Sequence, residues 1–283
     1  MSNSHRIVVL LTACVNPNGM SKTVLQDVEL RRKQYVNALN FYLQETSLPI
    51  CFVENTGFDM SCEFHSYIDS GRLEYLCFKG NNYDKSLGKG YGEAVIILYA
   101  TENSVFLKRC KYLIKVTGRV IVPAIEKIAN SFWTSCFLHS WQIVPAIEKI
   151  ANSLTLKLPN VFRSDLLSQD FVRSVVFVAA PLTLERMLSS RIGDFIEDEG
   201  GLFENILAQE LITHKEVIIL PFFQTVKIIG IFATKNTPYM NIPSIITLRD
   251  NLFFLCDLEK SRGRILSALF IKIFYYLTLI YPY

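Results

Sequence analysis

The first 120 or so residues alternate short, almost wholly apolar runs with stretches of helical spacing, and this alternation limits the fold more than any other feature. "RIVVLLTA" closes on the turn formers "NPNG", and the segment from Thr23 to Thr46 then places Leu25, Val28, Tyr35, Leu39 and Tyr42 near helical spacing. "LPICFVEN" closes on Thr56-Gly57, the segment after it has room for a short helix, and "RLEYLCFKG" reads as a third strand. A Gly-rich turn, "LGKGYGEA", leads into the helical "GEAVIILYATENS", and "CKYLIKVTGRVIV" supplies a fourth strand. Parallel strands need long crossovers, which helices provide, so the pattern predicts an α/β sandwich with a largely parallel sheet. Beyond it, "RSVVFVAAP" reads as a strand, "PLTLERMLSSR" and "GLFENILAQELI" as helices, and "EVIILPFFQTVKIIGIF" as paired or bent strands. With no glycine-serine linker, residues 1–260 are expected to form one domain, followed by a C-terminal helix over 261–283.

"IVPAIEKIANS" occurs twice, at 121–131 and 143–153, letter for letter. Packing selects only apolar positions, so identity that extends to Glu126 and Glu148, or Lys127 and Lys149, records recent copying. Each copy reads as a short amphipathic helix with proline near its start. Two copies are too few for a solenoid, and residues 132–153 read as a duplicated insertion.

At 283 residues and 50% apolar, the chain can bury a full core. A net charge of +3 without a long basic run argues against nucleic acid as a partner. The seven scattered cysteines lie mostly in apolar runs, as reduced core thiols do. Cys62 and His65 have ligand spacing but no accompanying pair, so no metal site is assigned to them. The opening apolar run is short and reads as a strand rather than a secretion signal. The end, "RGRILSALFIKIFYYLTLIYPY", is apolar but carries Lys272, with Arg262 and Arg264 before it. Two readings stand for it. It is an interfacial helix, with the basic residues at lipid headgroups and Tyr275, Tyr276, Tyr281 and Tyr283 as amphipathic rings, or a helix packed on the core.

Ligands of open α/β sheets bind beyond the carboxyl ends of the strands, where "TACVNPNG", "VENTG", "GKGYGE" and "KVTGR" carry the polar residues. No GxGxxG follows the first strand, which disfavours a nicotinamide oxidoreductase or a methyltransferase. In combination, "FVEN", the Lys/Gly turn into "GEA", and "YLIKVTGR" resemble the donor-binding half of GT-A-type glycosyltransferases, particularly bacterial enzymes of capsule, lipopolysaccharide or O-antigen assembly. The similarity spans residues 5–122 in order and 154–240 more loosely.

The resemblance implies a GT-A-like fold and a nucleotide-sugar donor, with Thr12 and Ala13 in the nucleotide-holding loop. It also puts Glu54 with Asn55 at the nucleoside, and Lys89 and Gly90 near the diphosphate. Glu54 alone reads equally well as an acid capping a turn, and Lys89 as a solvated lysine. Where such enzymes carry Asp-x-Asp for a divalent metal, this chain has Lys115, Thr117, Gly118 and Arg119. Cations there are able to neutralise the leaving diphosphate themselves, which puts Mn²⁺ or Mg²⁺ in doubt and leaves the cofactor unknown. Arg119 snorkelling at a strand end is the plainer alternative. "DFIEDEGGLFENILA" is similar to the family's acidic acceptor-side segment, which makes Asp198 or Glu199 the first candidate for the base and Glu204 the next. An acidic solvated loop is the rival reading. Lys235 and Tyr239 are placed near the site by "IFATKNTPY".

The expected activity is transfer of a sugar to a lipid-linked or polysaccharide acceptor, in the cytoplasm, at the inner face of the membrane. The rivals are a catalytically degenerate binding protein of the same pathway and a sugar nucleotidyltransferase. Deleting residues 132–153 is expected to leave a folded protein with an equal or higher melting temperature, checked by calorimetry; aggregation of the shortened chain would make the segment integral to the core.

Overall fold

Strand β1 (Ile7–Ala13) is buried at all seven positions, so it needs apolar cover on both faces of its sheet. Ile7, Val9, Leu11 and Ala13 face one layer and Val8 and Leu10 the other. The computed structural model describes residues 7–20, 22–130, 160–164, 170–196, 201–222, 226–231, 236–239, 244–265, 268–269, 271–272 and 276. In chain order, β1 is followed by α1 (Val28–Glu45), β2 (Ile50–Glu54), α2 (His65–Asp69), β3 (Leu73–Cys77), α3 (Gly88–Asn103), α4 (Val105–Arg109) and β4 (Tyr112–Thr117). Then come α5 (Ile125–Asn130), β5 (Val161–Ser164), β6 (Val176–Ala179), α6 (Pro181–Ser189), α7 (Phe203–Thr213), β7 (Ile218–Pro221) and α8 (Ser244–Ser261).

Helix α1 starts after Asp27, whose carboxylate accepts the amide of Leu30 at 2.8 Å, and its first residue, Val28, lies five residues after the expected start at Thr23. It covers the first face with Tyr35, Ala38, Leu39, Tyr42 and Leu43. Helix α3 covers the second with Ala94, Ile96, Ile97 and Ala100. The sheet order is β3-β2-β1-β4-β6-β5-β7, with β6 antiparallel to both neighbours and the other pairs parallel. The expected mostly parallel α/β sandwich is therefore the observed architecture.

Four local expectations change. The Gly-rich stretch is not a turn ahead of a helix but the first turn of α3, entered through Gly88 at φ +79°. "EVIILPFFQTVKIIGIF" does not pair with itself among its described residues: β7 pairs with β5, and Ile229 bridges to Ile121 with both amide bonds at 2.8 Å. Arg262 is 1% exposed and cannot reach lipid headgroups. It pairs with Glu259 at 2.5 Å and donates to the carbonyl oxygens of His214 (3.0 Å) and Val217 (2.5 Å), pinning the end of α8 to the α7–β7 turn. Finally, β5, α4 and α8 are additions to the expected elements. Among the described residues no helix is long and apolar enough to cross a membrane. The first repeat copy forms α5 with Ile125, Ile128 and Ala129 buried, as its spacing predicts. The second copy, the insertion and the tyrosines at 275, 281 and 283 lie outside the described residues.

Tyr42 joins α1 to the segment after β4: its hydroxyl accepts the amide of Val122 and donates to the carbonyl of Val120, each at 2.9 Å. Tyr42→Phe leaves two buried backbone groups without a partner and is expected to cost about 1–3 kcal/mol, read by urea unfolding.

Candidate functional site

The carboxyl ends of β1, β2 and β4 open into one cleft of about 230 Å³. The chain runs from β1 outward to β2 and β3 on one side and returns to β4 on the other, so the cleft lies at the switch point of the sheet. Thr12 and Thr117 are register partners at its floor. Because β6 runs antiparallel, the residues leading into it, Ser174 and Val175, reach the same edge. The N-termini of α3, with Lys89, Gly90 and Glu93, and of α7, with Phe203 and Glu204, close the walls. Neither N-cap residue, Leu87 or Leu202, caps its helix with a side chain, so first-turn amides and both helix dipoles favour negative charge at the cleft.

Two buried guanidinium groups line it. Arg31, 5% exposed, donates to the carbonyl oxygens of Cys14, Val15 (3.2 Å) and Leu25 (3.3 Å) and so shapes the loop after β1. Arg119, 8% exposed, donates through Nη1 to the carbonyl of Ile231 at 2.7 Å. Among the described residues neither is within ion-pair distance of a carboxylate. Burial lowers the Arg119 pKa from its ordinary value; Arg31 pushes it the same way, and Tyr35 opposes. Burial also pushes the Cys14 thiol up to about 11, which leaves it protonated and a poor nucleophile at neutral pH.

Of the residues singled out from sequence, Thr12, Ala13, Asn55, Lys89, Gly90, Arg119, Glu204 and Tyr239 line this one cleft. Asn55 is 1% exposed, and its Oδ1 has no hydrogen-bond partner among the described residues. Glu54 does not line the cleft. Its carboxylate is fully buried and accepts the amides of Val15 (3.0 Å), Thr56 (2.8 Å) and Phe58 (3.0 Å) and the Thr56 hydroxyl (2.6 Å). It therefore ties the β1 and β2 loops together, the turn-capping alternative, rather than facing a nucleoside. Lys115 is likewise withdrawn from any phosphate: fully buried, it pairs with Glu93 at 2.6 Å and donates to the carbonyl of Ser174 at 2.7 Å. Gly118 contacts no cleft space. Its amide donates to the Thr12 carbonyl at 2.8 Å, and a Cβ would lie 2.8 Å from that oxygen. Asp198, Glu199 and Lys235 lie outside the described residues.

Sequence reasoning passed over Arg31, Tyr35, Glu93 and Ser174. Arg31 stands in "LRRKQY", which looks like a solvated helix face until the β1 loop folds over it. Glu93, within the quoted "GEA", was recognisable as chemistry-bearing, but its partner Lys115 is 22 residues away on another element.

A divalent metal does not fit the donor set of the described residues. Past the β4 end the cleft is lined by the Arg119 guanidinium, and Glu93 Oε1 already holds Lys115 and the Thr12 hydroxyl (2.7 Å). Among the described residues there is no group of three His, Cys, Asp or Glu side chains able to hold a metal ion.

No protein-family model matches the sequence, and no curated protein does. Among solved structures, the chain is similar to S. aureus TarS 1–349 in complex with UDP, at 9% identity over 90% of this chain, with a TM-score of 0.36. It spans 65% of that TarS chain. It is also similar to 4-diphosphocytidyl-2C-methyl-D-erythritol synthase from Anaerococcus prevotii, at 11% identity over 90% of this chain and 100% of the other, TM-score 0.37. The third is HddC from Yersinia pseudotuberculosis, at 10% identity over 79% and 92%, TM-score 0.31.

Glu93→Gln strands a buried ammonium and is expected to destabilise the fold toward the lower end of roughly 3–5 kcal/mol, since Lys115 keeps its bond to Ser174. Lys115→Met in the same chain should restore part of that loss in chemical denaturation. A second expectation concerns pH. Cys14, Cys77 and Cys110 are held at about 11, 12 and 12 by burial, above the ordinary thiol value of 9.0. The unfolded chain releases these protons first, so stability present below pH 9 should fall as pH rises from 9 toward 11, followed as melting temperature against pH.

Proposed function

We propose that the chain is a glycosyltransferase that takes a nucleotide-sugar donor in this cleft. The observation that carries the reading is that Arg119, Arg31, Lys89 and two helix N-termini all line one switch-point cleft that also contains Glu204. The donor's diphosphate lies against the cationic wall. Its nucleoside lies along Thr12, Ala13 and Asn55, where the buried Oδ1 accepts a hydrogen bond that the described residues do not supply. An acceptor hydroxyl oxygen attacks the anomeric carbon, the bond from that carbon to the diphosphate oxygen breaks with its electron pair on the oxygen, and a carboxylate takes the hydroxyl proton. Glu204 is the described candidate for that base; Ser174 Oγ donates to its Oε1 and orients it. Asp198 and Glu199 remain candidates from sequence.

The acceptor is a lipid-linked or polysaccharide glycan of bacterial surface assembly (capsule, lipopolysaccharide or O-antigen), met in the cytoplasm at the membrane's inner face. A C-terminal stripe supports this: Ile265, Leu269 and Tyr276 are 72%, 55% and 50% exposed, and Lys272 lies 6.0 Å from the Tyr276 ring. A second reading, a catalytically degenerate binding protein, is favoured by the basic β4 end alone.

A panel of UDP-, GDP- and CMP-sugars separates the two, read by release of nucleoside phosphate. The transferase releases it, and Glu204→Gln lowers kcat by about 10²-fold or more with donor KM little changed. Thermal protection by nucleotides without any release identifies the binding protein instead.

A further inference from the structure

We infer that Arg119, backed by the buried charge of Arg31, neutralises the donor's diphosphate at the position where GT-A enzymes use a divalent cation; the inference rests on the cleft being a nucleotide-sugar site. Arg119 directly follows Gly118, whose amide bond to Thr12 fixes the backbone beside the β1 end. A guanidinium has five N–H donors, and Arg119 gives one to Ile231, so the rest of the fork is available to phosphate oxygens. Two buried guanidinium groups lining one cleft are costly without an anion, and an anion bound in that cleft near the α3 N-terminus relieves that cost.

The acidic groups of the cleft do not compete for a cation. Glu93 Oε1 is held by Lys115 and Thr12, and Glu204 Oε1 by Ser174. When the anomeric C–O bond breaks, the departing oxygen keeps the electron pair and the diphosphate gains one negative charge. Charge-assisted hydrogen bonds from Arg119 strengthen as that charge grows, and no further reactant is needed.

The test is binding of UDP, GDP and CDP to the full chain by thermal shift and calorimetry, in EDTA and in excess Mg²⁺ or Mn²⁺. At least one nucleoside diphosphate is expected to bind, with dissociation constants in the two arms agreeing within about twofold. Arg119→Gln should weaken that binding by about tenfold or more, and Arg119→Lys, which keeps the charge but loses the fork, by less. If Arg119→Gln does not fold, the wild-type EDTA comparison and Arg119→Lys decide. Binding that disappears in EDTA overturns the inference and leaves the nucleotide-sugar reading standing, as does wild-type affinity in the Arg119→Gln chain. No binding of any nucleoside diphosphate in either arm overturns both.

Discussion

The ion pair between Lys115 and Glu93 crosses the switch point of the sheet and ties four elements into one frame. Lys115 belongs to β4, Glu93 to α3, and the same carboxylate oxygen takes the hydroxyl of Thr12 at the end of β1. The ammonium also holds the carbonyl of Ser174, just before β6. A fully buried lysine is tolerable only with such partners, and here satisfying it fixes where α3 begins relative to the strand ends. Everything that gives the cleft its sign depends on that position, because α3 brings Lys89, Gly90 and its open N-terminus to the edge from which Arg119 departs.

The cleft is therefore framed by charges neutralised internally and lined by charges that are not. Glu54 and Lys115, the two ionisable side chains nearest the strand ends, are consumed by the architecture: one collects three amides and a hydroxyl, the other a carboxylate and a carbonyl. Arg31 and Arg119 are satisfied chiefly by carbonyl oxygens, which orient a guanidinium without cancelling its charge. The positive field of the site is a consequence of which groups were given carboxylate partners and which were given dipoles.

The legibility of these features in the sequence depends on the range over which each one acts. β1 to β4 and the helices between them are marked by runs such as "RIVVLLTA" and by turn formers, which act locally. β5 has only four residues, too few for a period to show, and it acquires strand character by pairing with β6 and β7. Of the polar residues read at the strand ends and the Gly-rich stretch, Thr12, Asn55, Lys89 and Arg119 line the cleft. The strand ends could not tell which polar residue faces outward. Glu54 and Asn55 are adjacent, and the tight β1 and β2 loops leave four donors aimed at the first and none at Oδ1 of the second.

The hydroxyl of Tyr42 and the bridge between Ile121 and Ile229 secure the segment leaving β4 before α5 begins. The chain is thus moored to both α1 and its own second half some residues ahead of Ser131, where the first copy of the repeated stretch ends. Moorings ahead of Ser131 confine the mechanical influence of the chain that follows to its downstream side, so the pairing of β1 with β4 is insulated from it. Between Thr117 and Val120, by contrast, every change of length bears on the cleft directly, through Arg119.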